Sequence, residues 1–293
     1  MKVLITGSSG FVGSALLKRL IDSDDDNEFF LLSSNNNGQF PTFLYKHNEG
    51  GYAFSLPDFF DVLVHLGAWT PKSAADAQNV DGAFDNIQFT KLLLASLYHV
   101  KRVVFISTLD VYAPNTSVIT ESSPIDPISL YGWSKLYCEQ MVKAWSQQQD
   151  IACCILRLGH IYGVGEGEYQ KLIPVLIKKA VNNETISIFS SGNEIRSFLN
   201  IDDCAGVIQQ AMTGRMEGVY NVVSNNPIQV KEVAEMIKRL ASSDSFIDIQ
   251  GQPVVTRDYL FDNNRLRQDF VICERPFEQG LKEEIEYFRK MVS

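Results

Sequence analysis

Short apolar runs rich in β-branched residues alternate, in the first half of the chain, with longer segments whose apolar positions recur every three to four residues. Positions 2–6, 29–32, 61–66, 103–107 and 152–156 read as buried strands, and 13–21, 79–98 and 131–148 as helices. Alternation of this kind predicts right-handed βαβ units and a doubly wound parallel sheet, an α/β fold. The pattern is weakest between 33 and 60, where Ser33-Ser34-Asn35-Asn36-Asn37-Gly38 is a loop and only 42–46 looks like a strand. After about residue 158 the alternation becomes irregular. That predicts a first domain over 1–157 and a smaller, mostly C-terminal lobe over 158–293, with segments such as 218–224 returning to the first.

Charge and composition narrow the chemistry. The chain has 293 residues, with 26 Lys and Arg against 35 Asp and Glu. An acidic balance without a basic block argues against nucleic acid or an anionic membrane as partner. Cys138, Cys153, Cys154, Cys204 and Cys273 contain no C-x-x-C pair, and an odd, sparse set makes no disulfide framework. No histidine stands at ligand spacing to a cysteine, so no metal site is expected. The opening apolar run is too short for a signal peptide, and no stretch approaches the ~18 apolar residues of a membrane span. The expectation is a reduced, cytoplasmic protein.

Gly7-Ser8-Ser9-Gly10-Phe11-Val12-Gly13 follows the first strand and opens the first helix. This G-x-x-G-x-x-G run is a spacing variant of the Rossmann fingerprint. Its glycines allow a tight turn and let the backbone approach a pyrophosphate at a helix N-terminus. Alone, such a triplet is also compatible with a turn that binds nothing; the strand–loop–helix context favours the ligand. NAD-binding folds place an acidic residue about 20 positions on, against the adenosine ribose. Here that place holds Ser33, Ser34 and Asn35. Without a carboxylate a 2′-phosphate is not repelled, so the cofactor reading is NADP or NAD, leaning to NADP. The acidic run from Asp22 to Asp26 comes earlier and reads as solvated.

Tyr131-Gly132-Trp133-Ser134-Lys135 puts a phenol and an ammonium one turn apart on one helix face. A neighbouring cation stabilises phenolate and lets the tyrosine exchange a proton near neutral pH. Only one of the eleven tyrosines has a lysine four residues later, yet the pair alone is equally compatible with a surface helix. The strand 103–107 ends in Ser107 and Thr108, at the edge where an open parallel sheet binds its ligand.

Together these residues resemble the extended short-chain dehydrogenase/reductase family of nucleotide-sugar epimerases, dehydratases and reductases. The resemblance covers most of the chain. Beside the glycine loop it includes His65-Leu66-Gly67-Ala68, similar to the family's H-L-A-A, and Asn79-Val80-Asp81-Gly82. It continues with Ser107-Thr108 through Val111-Tyr112, Pro127 through Tyr131-Gly132-Trp133-Ser134-Lys135 to Glu139, and Leu156-Arg157. Ile161-Tyr162-Gly163, the stretch from Gly192 to Phe198 with Asp203, and Gly218-Val219-Tyr220-Asn221 complete it. By position, the resemblance implies that Gly7, Ser9, Gly10, Phe11, Val12, Gly13, Leu66, Gly67, Ala68 and Ser107 surround the cofactor, with Ser33–Asn35 at its ribose. It implies Thr108 as the hydrogen-bonding partner of the sugar oxygen, Tyr131 as general acid/base, and Lys135 as the group that tunes Tyr131 and holds the nicotinamide ribose. Arg196 resembles the arginine that clamps the substrate diphosphate. His160, a further substrate-binding candidate, stands where the family often has Asn. The 4,6-dehydratases that resemble the chain around Thr108 carry Asp-Glu next; here Leu109-Asp110 follows, which argues against dehydration.

The resemblance therefore implies an enzyme that moves a hydride at C4 of a nucleotide-linked hexose, as a 4-ketoreductase or a 4-epimerase. Alternatives are a non-catalytic NADP-binding sensor or scaffold, and a reductase of a non-nucleotide carbonyl compound. A homodimer is expected too. Phe84, Ile87, Leu92, Leu94 and Leu97 on one helix, and Leu136, Tyr137, Met141, Val142 and Trp145 on another, exceed one sheet-facing stripe.

Overall fold

Strand β1 (Lys2–Thr6) shows how the chain builds its centre. Val3 and Ile5 enter one core and Leu4 the other, all three fully buried, because successive side chains of a strand leave on opposite faces. A sheet covered on both sides needs such uniformly apolar strands. The computed structural model describes residues 1–23, 26–36, 38–48, 51–114, 118–252 and 258–292; Asp24, Asp25 and Asn37 of the loops named above lie outside them.

The first half adds α1 (Phe11–Ile21), β2 (Glu28–Ser33), β3 (Thr42–Leu44), β4 (Lys46–Asn48), β5 (Gly51–Ala53), β6 (Val62–His65), α2 (Val80–Ala95), β7 (Arg102–Thr108) and α3 (Leu130–Gln149). The second adds β8 (Ala152–Leu158), β9 (His160–Tyr162), α4 (Leu172–Val181), β10 (Ile186–Ile188), β11 (Ile195–Asn200) and α5 (Ile201–Thr213). It ends with β12 (Gly218–Val222), β13 (Pro227–Gln229), α6 (Val230–Leu240), β14 (Ile247–Ile249), α7 (Asn264–Asp269) and α8 (Phe277–Val292). Seven strands form one parallel sheet in the order β12-β8-β7-β6-β1-β2-β3. This is a Rossmann-like, doubly wound α/β fold. Helices α1 and α5 cover one face, and α2 and α3 the other. The order reverses between β1 and β6, which puts a ligand crevice at their carboxyl ends.

The segment 42–46 does not form one strand. Only Thr42–Leu44 joins the sheet beside β2, and Lys46–Asn48 turns away to pair antiparallel with β5. Helices α4, α6 and α8 share a separate core with Ile186 and Ile188. Nearby, β9, β11 and β13 make a small mixed sheet, with β11 parallel to β9 and antiparallel to β13.

Helix α3 is fastened to the sheet by a buried ion pair. Arg157 of β8 donates from Nε and Nη2 to the two oxygens of Glu139 at 2.9 and 2.7 Å, and Ser107 of β7 donates to the same carboxylate at 2.6 Å. Glu139 is wholly buried and Arg157 nearly so. Such a pair adds little over an apolar packing, but removing one partner strands a charge in the interior, at a cost of about 3–5 kcal/mol. Glu139→Ala is therefore expected to lose about that much in urea unfolding. A loss below about 1 kcal/mol would show that Arg157 finds another partner.

Candidate active site

The three loop glycines answer to different constraints. Gly7 has φ +72°, and a Cβ there would come within 2.5 Å of the Gly67 nitrogen. A Cβ on Gly13 would meet the Gly7 carbonyl oxygen at 2.1 Å. Gly10 is not forced in this way: it is exposed, and the nearest atom to its missing Cβ lies 3.4 Å away. Its bare backbone caps α1, whose first turn carries no acidic residue, so the helix N-terminus is open to an anion. The loop fits a dinucleotide's pyrophosphate on these grounds.

One cleft of about 1640 Å³ runs along the carboxyl edge of the sheet. A pocket for one small ligand typically measures about 300–1,000 Å³, so this one has room for a dinucleotide and a second molecule. Gly7, Ser9, Gly10, Phe11, Val12 and Gly13 line it, as do Leu66, Gly67 and Ala68 after β6 and Ser107 and Thr108 at the end of β7. Tyr131 and Lys135 reach it from α3, His160 from β9 and Arg196 from β11. Ser33 lines it and is buried; Ser34 and Asn35 are exposed and do not belong to its walls. The Ser33 hydroxyl accepts from the Asn35 N–H at 3.3 Å.

Tyr131 owes its place to the start of α3. Ser129 caps the helix, its hydroxyl accepting from the Gly132 N–H at 3.0 Å. A Cβ at position 132 would come within 2.5 Å of the Asp110 carbonyl oxygen, so glycine lets the helix close against the turn after β7. Burial, reinforced by the Asp110 carboxylate, pushes the Tyr131 phenol above its ordinary range, while the hydroxyls of Thr70 and Thr108 pull it back. Lys135, also buried, is lowered to about 8 by desolvation, and its Nζ sits 4.4 Å from the centre of the Phe105 ring. Thr108 Oγ1 accepts from the Asp110 N–H at 3.2 Å and lies 3.3 Å from its carboxylate.

A file of buried polar groups underlies this wall. Thr6 Oγ1 accepts from the Gly67 N–H at 2.8 Å and bonds His65 Nδ1 at 2.8 Å. His65 Nε2 meets Thr90 Oγ1 at 3.0 Å, and Thr90 donates to the Asn86 carbonyl at 2.7 Å. With the last proton committed, every bond is satisfied when Nε2 carries the imidazole hydrogen. Burial, then the Lys135 charge, drives His65 down to about 3, so it stays neutral.

Beyond the motifs, the structure brings in residues that sequence reasoning missed. Lys171 precedes α4, lines the cleft, and holds its Nζ 4.3 Å from the Tyr169 ring centre and 5.8 Å from that of Phe11. Lys72 pairs with Glu168, and the Gln170 N–H donates to the Lys72 carbonyl at 2.8 Å. The segment 163–171 thus forms a strap against Phe11 of the glycine loop and against Lys72. The only sequence signal was a cation immediately before an apolar helix. His160 and Arg196 share an aromatic neighbour: Tyr259 lies edge-on to His160 at 4.8 Å and under the Arg196 guanidinium at 4.9 Å.

Fold and cleft together define a Rossmann-type protein with its cleft at the carboxyl edge of the sheet. The model of the NAD dependent epimerase/dehydratase family matches residues 3–223, and the chain belongs to that family, within the extended short-chain dehydrogenases/reductases. Among curated relatives, a dTDP-glucose 4,6-dehydratase from Neisseria gonorrhoeae is 24% identical, over 98% of this chain and 95% of its own. A UDP-N-acetyl-alpha-D-glucosaminuronate decarboxylase from Bacillus cytotoxicus is 26% identical, over 99% and 98%. A solved UDP-glucose 4-epimerase from Thermotoga maritima has the same fold, with a TM-score of 0.84 over the whole of both chains at 21% identity.

Two further carboxyls are buried at the strap. Glu166 of the strap and Glu284 of α8 are buried, and burial pushes both above the ordinary carboxylate range against the pull of Lys171; the neighbouring Glu166 raises Glu284 further. Glu284, raised to about 10, therefore keeps its proton at neutral pH. A carboxyl raised by folding contributes stability that is full below its unfolded pKa and lost as pH rises through the folded one. Melting temperature is therefore expected to fall between about pH 4.5 and about pH 10, and Glu284→Gln, which stays neutral, should flatten that fall. An equally steep decline in the variant would refute a protonated Glu284.

Proposed function

We propose that the protein is a cytoplasmic NAD(P)-dependent enzyme acting at C4 of a nucleotide-linked hexose. The observation that carries this reading is the convergence of Thr108, Tyr131 and Lys135 on one wall of a cleft that also contains the open N-terminus of α1. When bound, the dinucleotide supplies or accepts the hydride. Tyr131 Oη exchanges the proton with the C4 oxygen, and Thr108 Oγ1 hydrogen-bonds that oxygen. Lys135, cationic below about 8, favours phenolate when the proton moves to Tyr131. Arg196 and Lys171 line the same cleft as cations suited to the diphosphate of the substrate.

The cleft carries no carboxylate at Leu109, in keeping with a reaction other than dehydration. The buried serine at the ribose position supports NADP and hence a 4-ketoreductase. A 4-epimerase is the second reading, favoured by the strap over the glycine loop, because an epimerase needs a cofactor that stays. NAD retained through purification would select the epimerase; a protein that purifies without nucleotide and then binds NADPH would select the reductase. With UDP- and dTDP-linked hexoses and 4-ketohexoses as substrates, Tyr131→Phe should lower turnover by about 10²–10⁴-fold and leave dinucleotide affinity unchanged. Near-wild-type turnover in that variant would sink the mechanism.

We also propose a two-fold dimer through α2 and α3. Much of the apolar surplus expected there is used within the chain: Leu94, Leu97 and Val142 are buried, and Ile87, Met141 and Trp145 pack against the same core. Phe84, Trp133 and Tyr137 remain 55%, 51% and 56% exposed, and the last two share one face of α3. Light scattering at micromolar concentration should give a dimer that Tyr137→Glu dissociates. A monomeric wild type at high concentration would exclude it.

A further inference from the structure

The ammonium of Lys135 reaches the cleft from surroundings that offer it no polar contact. The residue is 4% exposed, and its Nζ has no hydrogen-bond or ion-pair partner among the described residues. The groups around it are already engaged or neutral. Glu139, one turn along α3, accepts from Arg157 at both carboxylate oxygens and from Ser107 at one of them, and Lys143 stands 3.8 Å from the same group. The Cys138 thiol donates to the Asn86 carbonyl at 3.4 Å and is pushed up by burial, so it stays neutral. His65 on β6 is neutral too, with its ring nitrogens held by Thr6 and Thr90. Tyr131, one turn back, is a neutral phenol raised by burial.

What faces Nζ is an aromatic ring. Phe105 lies within β7 with no exposed surface, and Nζ stands over its face, 4.4 Å from the ring centre. The face of such a ring is its negative side, and a cation above it is attracted, more strongly where water is excluded. Alternation along the strand explains the meeting. Phe105 and Ser107 share the side of β7 that faces α3, and Lys135 and Glu139 are one turn apart on the helix above them. Strand and helix therefore meet at two rungs, a ring under the ammonium and a hydroxyl under the carboxylate. The ring is steadied by His65, its partner in register on β6, whose imidazole lies 5.4 Å away and tilted by 58°.

We infer that Phe105 is a positioning residue for Lys135: the face of its ring holds the ammonium at the cleft and keeps it charged despite burial. The inference rests on Lys135 being the cation that supports the Tyr131 phenolate. An aliphatic residue at 105 would fill the same core but leave desolvation of the ammonium unopposed, and the lysine would lose its proton at lower pH.

The test is the titration of Lys135 itself. NMR of isotope-labelled lysine ε-carbons reads it, the signal being identified by its loss in Lys135→Arg. A ring under a desolvated ammonium displaces its titration by about one pH unit, so Phe105→Leu should lower it by that amount. Leucine also changes the packing of the core. A second series keeps the volume nearly constant: mono-, di- and trifluorinated phenylalanine at position 105, in which each fluorine draws charge from the ring face. Lys135 should titrate lower with every added fluorine. The alkaline limb of kcat/KM, in the direction in which Tyr131 takes the proton, should move down with it. A titration that moves in Phe105→Leu but not through the fluorinated series reports packing alone and overturns the inference, as does one that moves in neither. If the titration follows the fluorines while the limb of kcat/KM stays in place, the ring holds the ammonium as inferred, and the part given to Lys135 in the reaction falls.

Discussion

The contact on which the Tyr131 wall of the cleft depends is the carboxylate of Glu139, wholly inside the protein and met by Arg157 and Ser107. A helix laid on a sheet by apolar packing alone can slide by fractions of a turn, since dispersion has no preferred direction. A bidentate guanidinium fixes both distance and angle. Glu139 lies one turn beyond Lys135 and two beyond Tyr131, and Ser107 immediately precedes Thr108. The interaction that closes the helix on the strands therefore also sets the spacing of the three groups that face the cleft.

Steric exclusion completes what the ion pair begins. Gly132 admits the Asp110 carbonyl, Gly82 the Trp69 indole, and Gly7 the backbone of Gly67. Each is a place where two elements approach more closely than any side chain would permit, and the partners Asp110, Trp69 and Gly67 all line the cleft. The polar file from Thr6 through His65 and Thr90 to Asn86 runs beneath the same surface without an unsatisfied bond, which keeps it rigid in a low-dielectric interior.

The parallel sheet was legible because its strands are buried on both faces, so 2–6 or 103–107 appear as unbroken apolar runs of a length helices rarely match. Weak signals failed where a strand was brief: the run 42–46 divides after Leu44 because its two halves pair with different partners, a choice made by tertiary contacts. Local motifs pointed to Gly7, Tyr131 and Lys135 because turn chemistry and helical spacing are properties of neighbouring residues. Asn86 and Lys171 acquire their surroundings from segments far away in the chain, as do Glu166 and Glu284, and no local pattern marks them. The apolar excess on α2 and α3 misled in part for the same reason, since the two helices pack against each other as well as on the sheet.

Gly10 records a tension between folding and ligand. Its backbone, at φ −76° and ψ 172°, is open to every residue, and its position caps a helix. Serine or aspartate there would cap better and would also restrict the unfolded chain, together worth on the order of 0.5–1 kcal/mol. Drift under selection for stability alone would carry the position away from glycine. The neighbours Gly7 and Gly13 could not drift, being held by collisions within the fold. The triplet is thus two kinds of glycine in one motif, and a library screened first for folding and then for dinucleotide binding would separate them: positions 7 and 13 would be fixed in the first round, position 10 only in the second.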